Sequence, residues 1–204
     1  MRTQTSAIAR LQALPAVFRG SDLTVRFQWT SKTASQYLYL WKRRGLVGAL
    51  GGHSDVYVNL LKDPVPDWEA ALLKAMPSAV AIGIEVLRQA GWTTQVPQRP
   101  AVAVNARHPV YRVEPFEAVK REPRWFEAVR AGIQRDHPLA LPALRPAWAL
   151  CDMLRTGRWG ECGLWPDDID WHRVTDQDEA DWQAACAALG LPPAPLRAQA
   201  VAAR

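Results

Sequence analysis

The stretch from Thr30 to Leu60, TSKTASQYLYLWKRRGLVGALGGHSDVYVNL, changes its hydrophobic period once, and that change restricts what the chain can fold into. Its first half has a helical period. Ala34, Leu38 and Trp41, with Tyr37 beside them, recur on one face, and Thr30 stands where a hydroxyl can accept from an orphan amide of the first turn. The opposite face is polar and basic, carrying Ser31, Lys32, Ser35, Gln36, Tyr39, Lys42 and Arg43. Gly45 supplies the permissive backbone on which helices end. Beyond it the period alternates: residues 46–50 and 55–60 predict two short strands around Gly51, Gly52, His53 and Ser54, with Val56, Val58 and Leu60 on one side. A basic helix followed at once by a small hairpin is the reading half of a winged helix-turn-helix.

The preceding residues supply the remaining parts. Residues 6–14 place Ile8, Leu11 and Leu14 three apart and stop at Pro15. Residues 22–29 place Leu23 and Phe27 four apart, with Arg26 turned away from them. The predicted fold class is therefore α+β, an N-terminal winged helix-turn-helix over residues 1–62 followed by a larger mixed α/β domain. The prolines of KDPVPD, residues 62–67, interrupt either period and mark the boundary. In the second domain, 67–191, Trp68, Leu72 and Leu73 predict one helix and Val80, Ile84 and Leu87 another, ending near Gly91. Residues 101–104 and 110–113 read as strands, and 122–130, 147–154 and 176–189 as helices, the last capped by Thr175 or Asp176. The proline- and alanine-rich residues 192–204 read as a frayed tail.

Charge divides along the chain. Residues 1–60 carry eight basic and two acidic side chains, net +6, whereas residues 161–204 carry three and eight, net −5. The front attracts phosphate and the end repels it. On a duplex, Lys42, Arg43 and Arg26 would neutralise phosphates without reading sequence, while Lys32, Ser35, Gln36 and Tyr39 would meet base edges in the major groove. His53 and Ser54, at the hairpin tip, would touch backbone or minor groove.

Other chemistries find little support. Cys151, Cys162 and Cys186 form no CxxC, which argues against a disulfide framework or a metal cluster, and His108, His137 and His172 lie apart from any zinc-binding spacing. There is no GxGxxG and no GxxxxGK[ST], so neither cofactor nor nucleotide binding is expected. Glu161, Asp167, Asp168 and Asp170 form the densest acidic group, the one place where a metal-dependent nuclease would be sought, yet they read as turn acids and the chain is expected not to be an enzyme. Trp159, Trp165 and Trp171 lie beside them, either as anchors of a protein interface or as the seal of the second domain. No apolar run approaches the roughly 18 residues of a spanning helix, and MRTQTSAIAR lacks the apolar segment of a signal peptide, so a cytoplasmic, non-membrane protein is expected.

SKTASQYLYLWKRRGLVGAL, HSDVYVNLLKDP, SAVAIGIEVLRQAGWTTQVP and LPALRPAWALCDML together make the chain resemble the AbiEi family of bacterial antitoxins and transcriptional regulators, over most of positions 5–155. The resemblance implies a winged N-terminal domain that binds double-stranded operator DNA. It also implies a C-terminal domain that helps to neutralise a nucleotidyltransferase-like toxin. By it, Lys32, Ser35, Gln36, Lys42 and Arg43 fall on DNA-facing positions, and Ala34, Leu38, Trp41, Leu46 and Val47 on the domain core. A homodimer is left open. The rival reading is a non-catalytic interaction module, or a mobile-element regulator without a cognate toxin.

Overall fold

The structure, a computed structural model, describes residues 6–105 and 113–200. The chain is α+β, with several helices and two small sheets divided between two compact units. The first unit comprises Met1–Pro77 with Tyr111–Pro115, and the second Ser78–Val110 with Phe116–Arg204. Among the described residues no helix is long and apolar enough to cross a membrane.

The first unit opens with α1 (Ala7–Gln12), whose N-cap Ser6 accepts from the Ala9 amide at 3.1 Å. Strand β1 (Val17–Arg19) follows, then α2 (Gly20–Phe27), α3 (Ser31–Arg43), β2 (Val47–Ala49) and β3 (Val56–Asn59). The strands form an antiparallel sheet in the order β1-β3-β2. Leu11, Leu14, Phe18, Leu23, Ala34, Leu38, Trp41 and Val47 pack into one core, so the predicted apolar face of α3 is the buried one. Asn59 is almost fully buried because its amide closes the unit: Nδ2 donates to the Leu11 carbonyl at 2.8 Å and Oδ1 accepts from the Leu61 amide at 3.2 Å. β1 has no sequence signature of its own. Three residues carry too little period to announce a strand, and this one exists because Val17–Arg19 finds β3 to pair with.

The first unit also runs past the prolines that suggested a boundary at 62. Helix α4 (Trp68–Ala75), capped by Asp67 through the Ala70 amide at 2.8 Å, belongs to it. The indole of Trp68 lies over Gly48 of β2, where a Cβ would come within 2.8 Å of the ring. A proline-rich segment interrupts a period, but packing decides where a unit ends.

In the second unit the sheet order is β6-β5-β4-β8-β7. It is built from β4 (Val80–Ile82), β5 (Ala101–Val104), β6 (Glu117–Lys120), β7 (Ile133–Gln134) and β8 (Ala143–Leu144). Its helices are α5 (Ile84–Gln89), α6 (Pro123–Ala128), α7 (Pro146–Thr156) and α8 (Asp176–Leu189). The helix expected to carry Val80, Ile84 and Leu87 is in fact a strand and a helix. Gly83, at φ 75°, separates them, and Val80–Ile82 is buried on both faces as the central strand between β5 and β8. A central strand is apolar throughout and loses the alternation that would distinguish it from a buried helical turn. Of the predicted strand at 110–113, residues 110–112 lie outside the described residues; Val113 bridges Gly51 in the first unit.

Helices α7 and α8 supply much of the core, to which Trp148, Cys151, Trp182, Ala185 and Cys186 belong as buried residues. Burial pushes both the Cys151 and Cys186 thiols above their ordinary range, and their sulfurs lie 4.0 Å apart as free thiols. Thr175 caps α8 by a reciprocal pair with Asp178. The end of the chain is docked rather than frayed as far as it is described: Leu196 is fully buried and its amide donates to Glu179 at 2.8 Å.

Two titrating groups give this unit a pH dependence. The Glu85 carboxylate receives Arg88 Nε at 2.7 Å and Gln89 Nε2 at 2.9 Å, and the Arg88 hydrogen bonds hold its pKa below the usual 4.5. Burial lowers His137 from 6.5, with Glu85 opposing more weakly, and its Nδ1 accepts from the Leu139 amide, which requires the neutral ring. Both folded pKa values lie below the unfolded ones, so the unfolded chain binds more protons and both contributions are complete only above the unfolded values. Thermal denaturation is expected at falling midpoint as pH drops below 6.5, with a second loss below 4.5 that Glu85→Gln removes.

Candidate nucleic-acid interface

Thr30 begins α3 as expected, accepting from the Thr33 amide at 3.2 Å, and Gly45, at φ 67°, turns the chain after its end. At about 100° per residue, Ser31, Lys42, Ser35, Tyr39, Lys32, Arg43 and Gln36 fall within an arc of about 140° on this helix. All seven are exposed, Tyr39 by 64%. The buried Ala34, Leu38 and Trp41 occupy the other side.

One edge of that arc borders a groove of about 490 Å³. Ser31, Ser35, Tyr39 and Lys42 line one wall, Ser21 and Thr24 of α2 another, and Asp55 and Tyr57 the β3 side. Lys32, Gln36 and Arg43 are on the arc but outside the groove lining. Arg26 is exposed on α2 yet set to the other side of that helix from Gly20, Ser21 and Thr24, so it is not brought together with the α3 residues. Sequence reasoning misses the groove-lining Ser21, Thr24 and Tyr57. Their one local signal is the polar pair three apart on α2.

Asp55 shapes this groove. Its carboxylate accepts from the Ser21 amide at 2.8 Å, in the first turn of α2, and its carbonyl accepts from Gly20 at 2.9 Å. A Cβ on Gly20 would collide with the Asp55 carboxylate and come within 3.0 Å of Leu38, so glycine is required where α2, α3 and β3 converge. Burial, with the Asp55 charge adding, raises the Tyr57 phenol above its ordinary value, leaving it a neutral donor. Asp55→Ala is expected to cost about 1 kcal/mol through the missing helix-end bond, measurable by urea denaturation. On a DNA-binding reading, removing this charge also strengthens duplex binding at low salt.

The remaining cations of the first unit divide by engagement. Arg10 lies over Trp29 at 5.2 Å, in a cluster where Trp29 stacks on Tyr37 at 4.3 Å, and Arg19 donates to the Lys74 carbonyl at 2.6 Å. Lys32, Lys42, Arg43 and Arg44 project from or just beyond α3 into solvent. The hairpin tip is built by three successive positive-φ residues, Gly51, Gly52 and His53. It is not an isolated loop, because Gly51 bridges Val113 and the Glu114 amide donates to Leu50 at 2.9 Å.

In the second unit three of the four residues of the acidic group hold turns. Glu161 accepts from the Arg158 amide at 3.1 Å, Asp168 from Trp165 at 2.7 Å and Asp170 from His172 at 3.2 Å. Among the described residues no three His, Cys, Asp or Glu side chains gather as a metal site would need. Of the neighbouring tryptophans, Trp171 donates to the Pro166 carbonyl at 2.9 Å, whereas Trp165 is 61% exposed and lies against Gly160. His108 lies outside the described residues.

No family model matches the chain, and no curated protein sequence matches it. Among solved structures it is similar to the crystal structure of the RV2827C protein from Mycobacterium tuberculosis, at 15% identity and a TM-score of 0.49, over 90% of this chain and 74% of that one.

Proposed function

We propose that the chain is a sequence-specific regulator that binds double-stranded DNA through its first unit, read as a winged helix-turn-helix with α3 as the recognition helix. The observation that carries this reading is the exposed arc of seven polar and basic side chains on α3, opposite a fully packed face and bordering an open groove. The order of helices and strands in the first unit, with β2 and β3 as the wing, supports it. Lys42 and Arg43 then meet phosphates, and Lys32, Ser35, Gln36 and Tyr39 meet base edges, with Ser31 at the helix start. Arg26 and His53 are marginal to this surface: one lies on the far side of α2 and the other on a tip already tied to residues 113–114.

The reading is non-catalytic, and the engagement of Glu161, Asp168 and Asp170 as turn acceptors supports it. The resemblance to AbiEi antitoxins extends the proposal to a toxin-antitoxin pair, in which the second unit meets a nucleotidyltransferase-like toxin. Growth rescue against the product of the adjacent gene tests that extension separately.

DNA recognition is tested by titrating the full chain with its own upstream duplex and with a scrambled duplex at several salt concentrations. The upstream duplex is expected to bind at least about 10³-fold more tightly at physiological salt. Gln36→Ala is expected to reduce that ratio by about tenfold while scarcely changing the affinity for scrambled DNA. Equal affinity for both duplexes at every salt concentration overturns operator recognition.

A further inference from the structure

Positive charge gathers at one place in the second unit. A recess of about 620 Å³, within the range of small-molecule sites, is lined by Lys120 at the end of β6, Arg121 just after it, Arg124 of α6 and Arg155 in the last turn of α7. Among the described residues Glu122 is the one carboxylate of the lining, and Trp125, Ala128, Ala188 and Leu189 complete it without adding charge. A recess lined mainly by one sign of charge concentrates its field, so an anion is attracted more strongly inside it than over an open surface. The cations differ in how far they are engaged. Arg121 is fixed in advance, by Asp152 at 2.8 Å and by its place over the Trp125 ring, and its side chain remains 20% accessible. Arg124 pairs with Glu122 at 2.8 Å, but both are largely exposed and such a pair contributes little. Arg155 is exposed and enters no hydrogen bond or ion pair among the described residues.

We propose that this recess binds a compact phosphate polyanion, one that carries two or more linked phosphate groups. Arginine forks match the paired oxygens of a phosphate group, and cations arriving from β6, α6 and α7 reward an anion that offers charge at more than one point. A single phosphate satisfies only part of that arrangement. Trp125 is only 4% exposed, so it offers no open ring face on which a base could stack, and recognition rests on the phosphates. The inference does not depend on DNA recognition by α3, because every residue it uses lies in the second unit.

The probes are inorganic pyrophosphate and inorganic phosphate, titrated calorimetrically into the full chain in metal-free buffer, with scrambled duplex as the other source of phosphate. Pyrophosphate is expected to bind at one site and about tenfold more tightly than phosphate. Arg155→Ala alters an exposed side chain, so the fold is retained, and is expected to weaken pyrophosphate by about tenfold. Glu122→Gln has the opposite sign. Its side chain is exposed and makes no capping bond at the start of α6, and removing its charge is expected to tighten pyrophosphate by about threefold. Arg173→Ala removes an exposed cation of the same unit that is outside the lining, and is expected to change nothing, which separates a site from general attraction. Absence of saturable one-site binding of pyrophosphate, equal losses from Arg155→Ala and Arg173→Ala, or weaker binding by Glu122→Gln overturns the proposal. Loss of duplex affinity in Arg155→Ala with pyrophosphate binding unchanged also overturns it, and gives the recess to a nucleic-acid backbone instead.

Discussion

Replacing Asp152 by alanine is expected to destabilise the second unit by about 3–5 kcal/mol, the cost of breaking a buried ion pair from one side. Asp152 is only 2% exposed, and its two oxygens serve different elements. Oδ2 accepts from Arg121 at 2.8 Å, just after β6, and Oδ1 accepts from Trp125 Nε1 of α6 at 2.7 Å. The Arg121 guanidinium also lies over the Trp125 ring at 5.6 Å. One carboxylate on α7 therefore positions the end of β6 and the start of α6. Removing it strands a charge and a donor together, which costs more than the intact pair contributes. Asp152→Asn is expected to cost less, because an amide oxygen can still serve Trp125. Replacing Asp152 by leucine and Arg121 by methionine together is expected to recover part of the stability, since neither charge is then left alone. Urea denaturation of the four proteins measures this, and a cost below about 1 kcal/mol for alanine would show that solvent reaches the site.

The second large effect concerns binding. The double variant Lys42→Ala with Arg43→Ala is expected to weaken both upstream and scrambled duplex by about 10²-fold, roughly tenfold for each charge-assisted phosphate bond. The slope of log affinity against log salt is expected to fall by about 0.9 for each phosphate that is no longer neutralised. Selectivity should change little, which separates this variant from Gln36→Ala. The placement of the two cations sharpens the expectation. Lys42 lines the groove and Arg43 does not, although both lie on the same exposed arc of the last turn. If only Lys42→Ala weakens binding, DNA follows the groove side of α3. If only Arg43→Ala does, it follows the opposite margin.

Both effects combine local pattern with distant partners, and the fold divides in the same way. Elements with a long local pattern are legible from the residues alone. Helix α3 is delimited by Thr30 and Gly45, α8 by Thr175 and Gly190, and α7 by an apolar run behind Pro146. The hairpin of β2 and β3 follows from a change of period and a glycine pair. In each case residues within a few positions supply both the pattern and the caps, so the information lies in one window of sequence.

The side chains of α3 show how far that legibility reaches. A helical period determines which residues share an arc, and it places Ser31, Lys32, Ser35, Gln36, Tyr39, Lys42 and Arg43 together. It cannot determine what stands opposite that arc. Ser21, Thr24, Asp55 and Tyr57 join the groove because α2 and β3 converge on α3 at Gly20, a meeting visible only in three dimensions. Arg26 illustrates the converse: its charge and proximity in sequence suggest a role beside α3, but the rotation of α2 carries it away.

Local pattern thus accounts for the α+β class, most of the helices, the caps of α3 and α8, and the buried face of α3. Long-range packing accounts for the rest. Val80–Ile82 is a strand because β5 and β8 flank it, and β1 exists because β3 offers an edge. α4 joins the first unit because Trp68 packs over Gly48. Glu161, Asp168 and Asp170 hold turns because backbone amides fold back onto them, and Asp152 is a buried anchor because Arg121 and Trp125 reach it from other segments. The physical reason lies in range: helical hydrogen bonds join residues three or four apart and are written into a local window, whereas strand pairing and burial depend on partners tens of residues away.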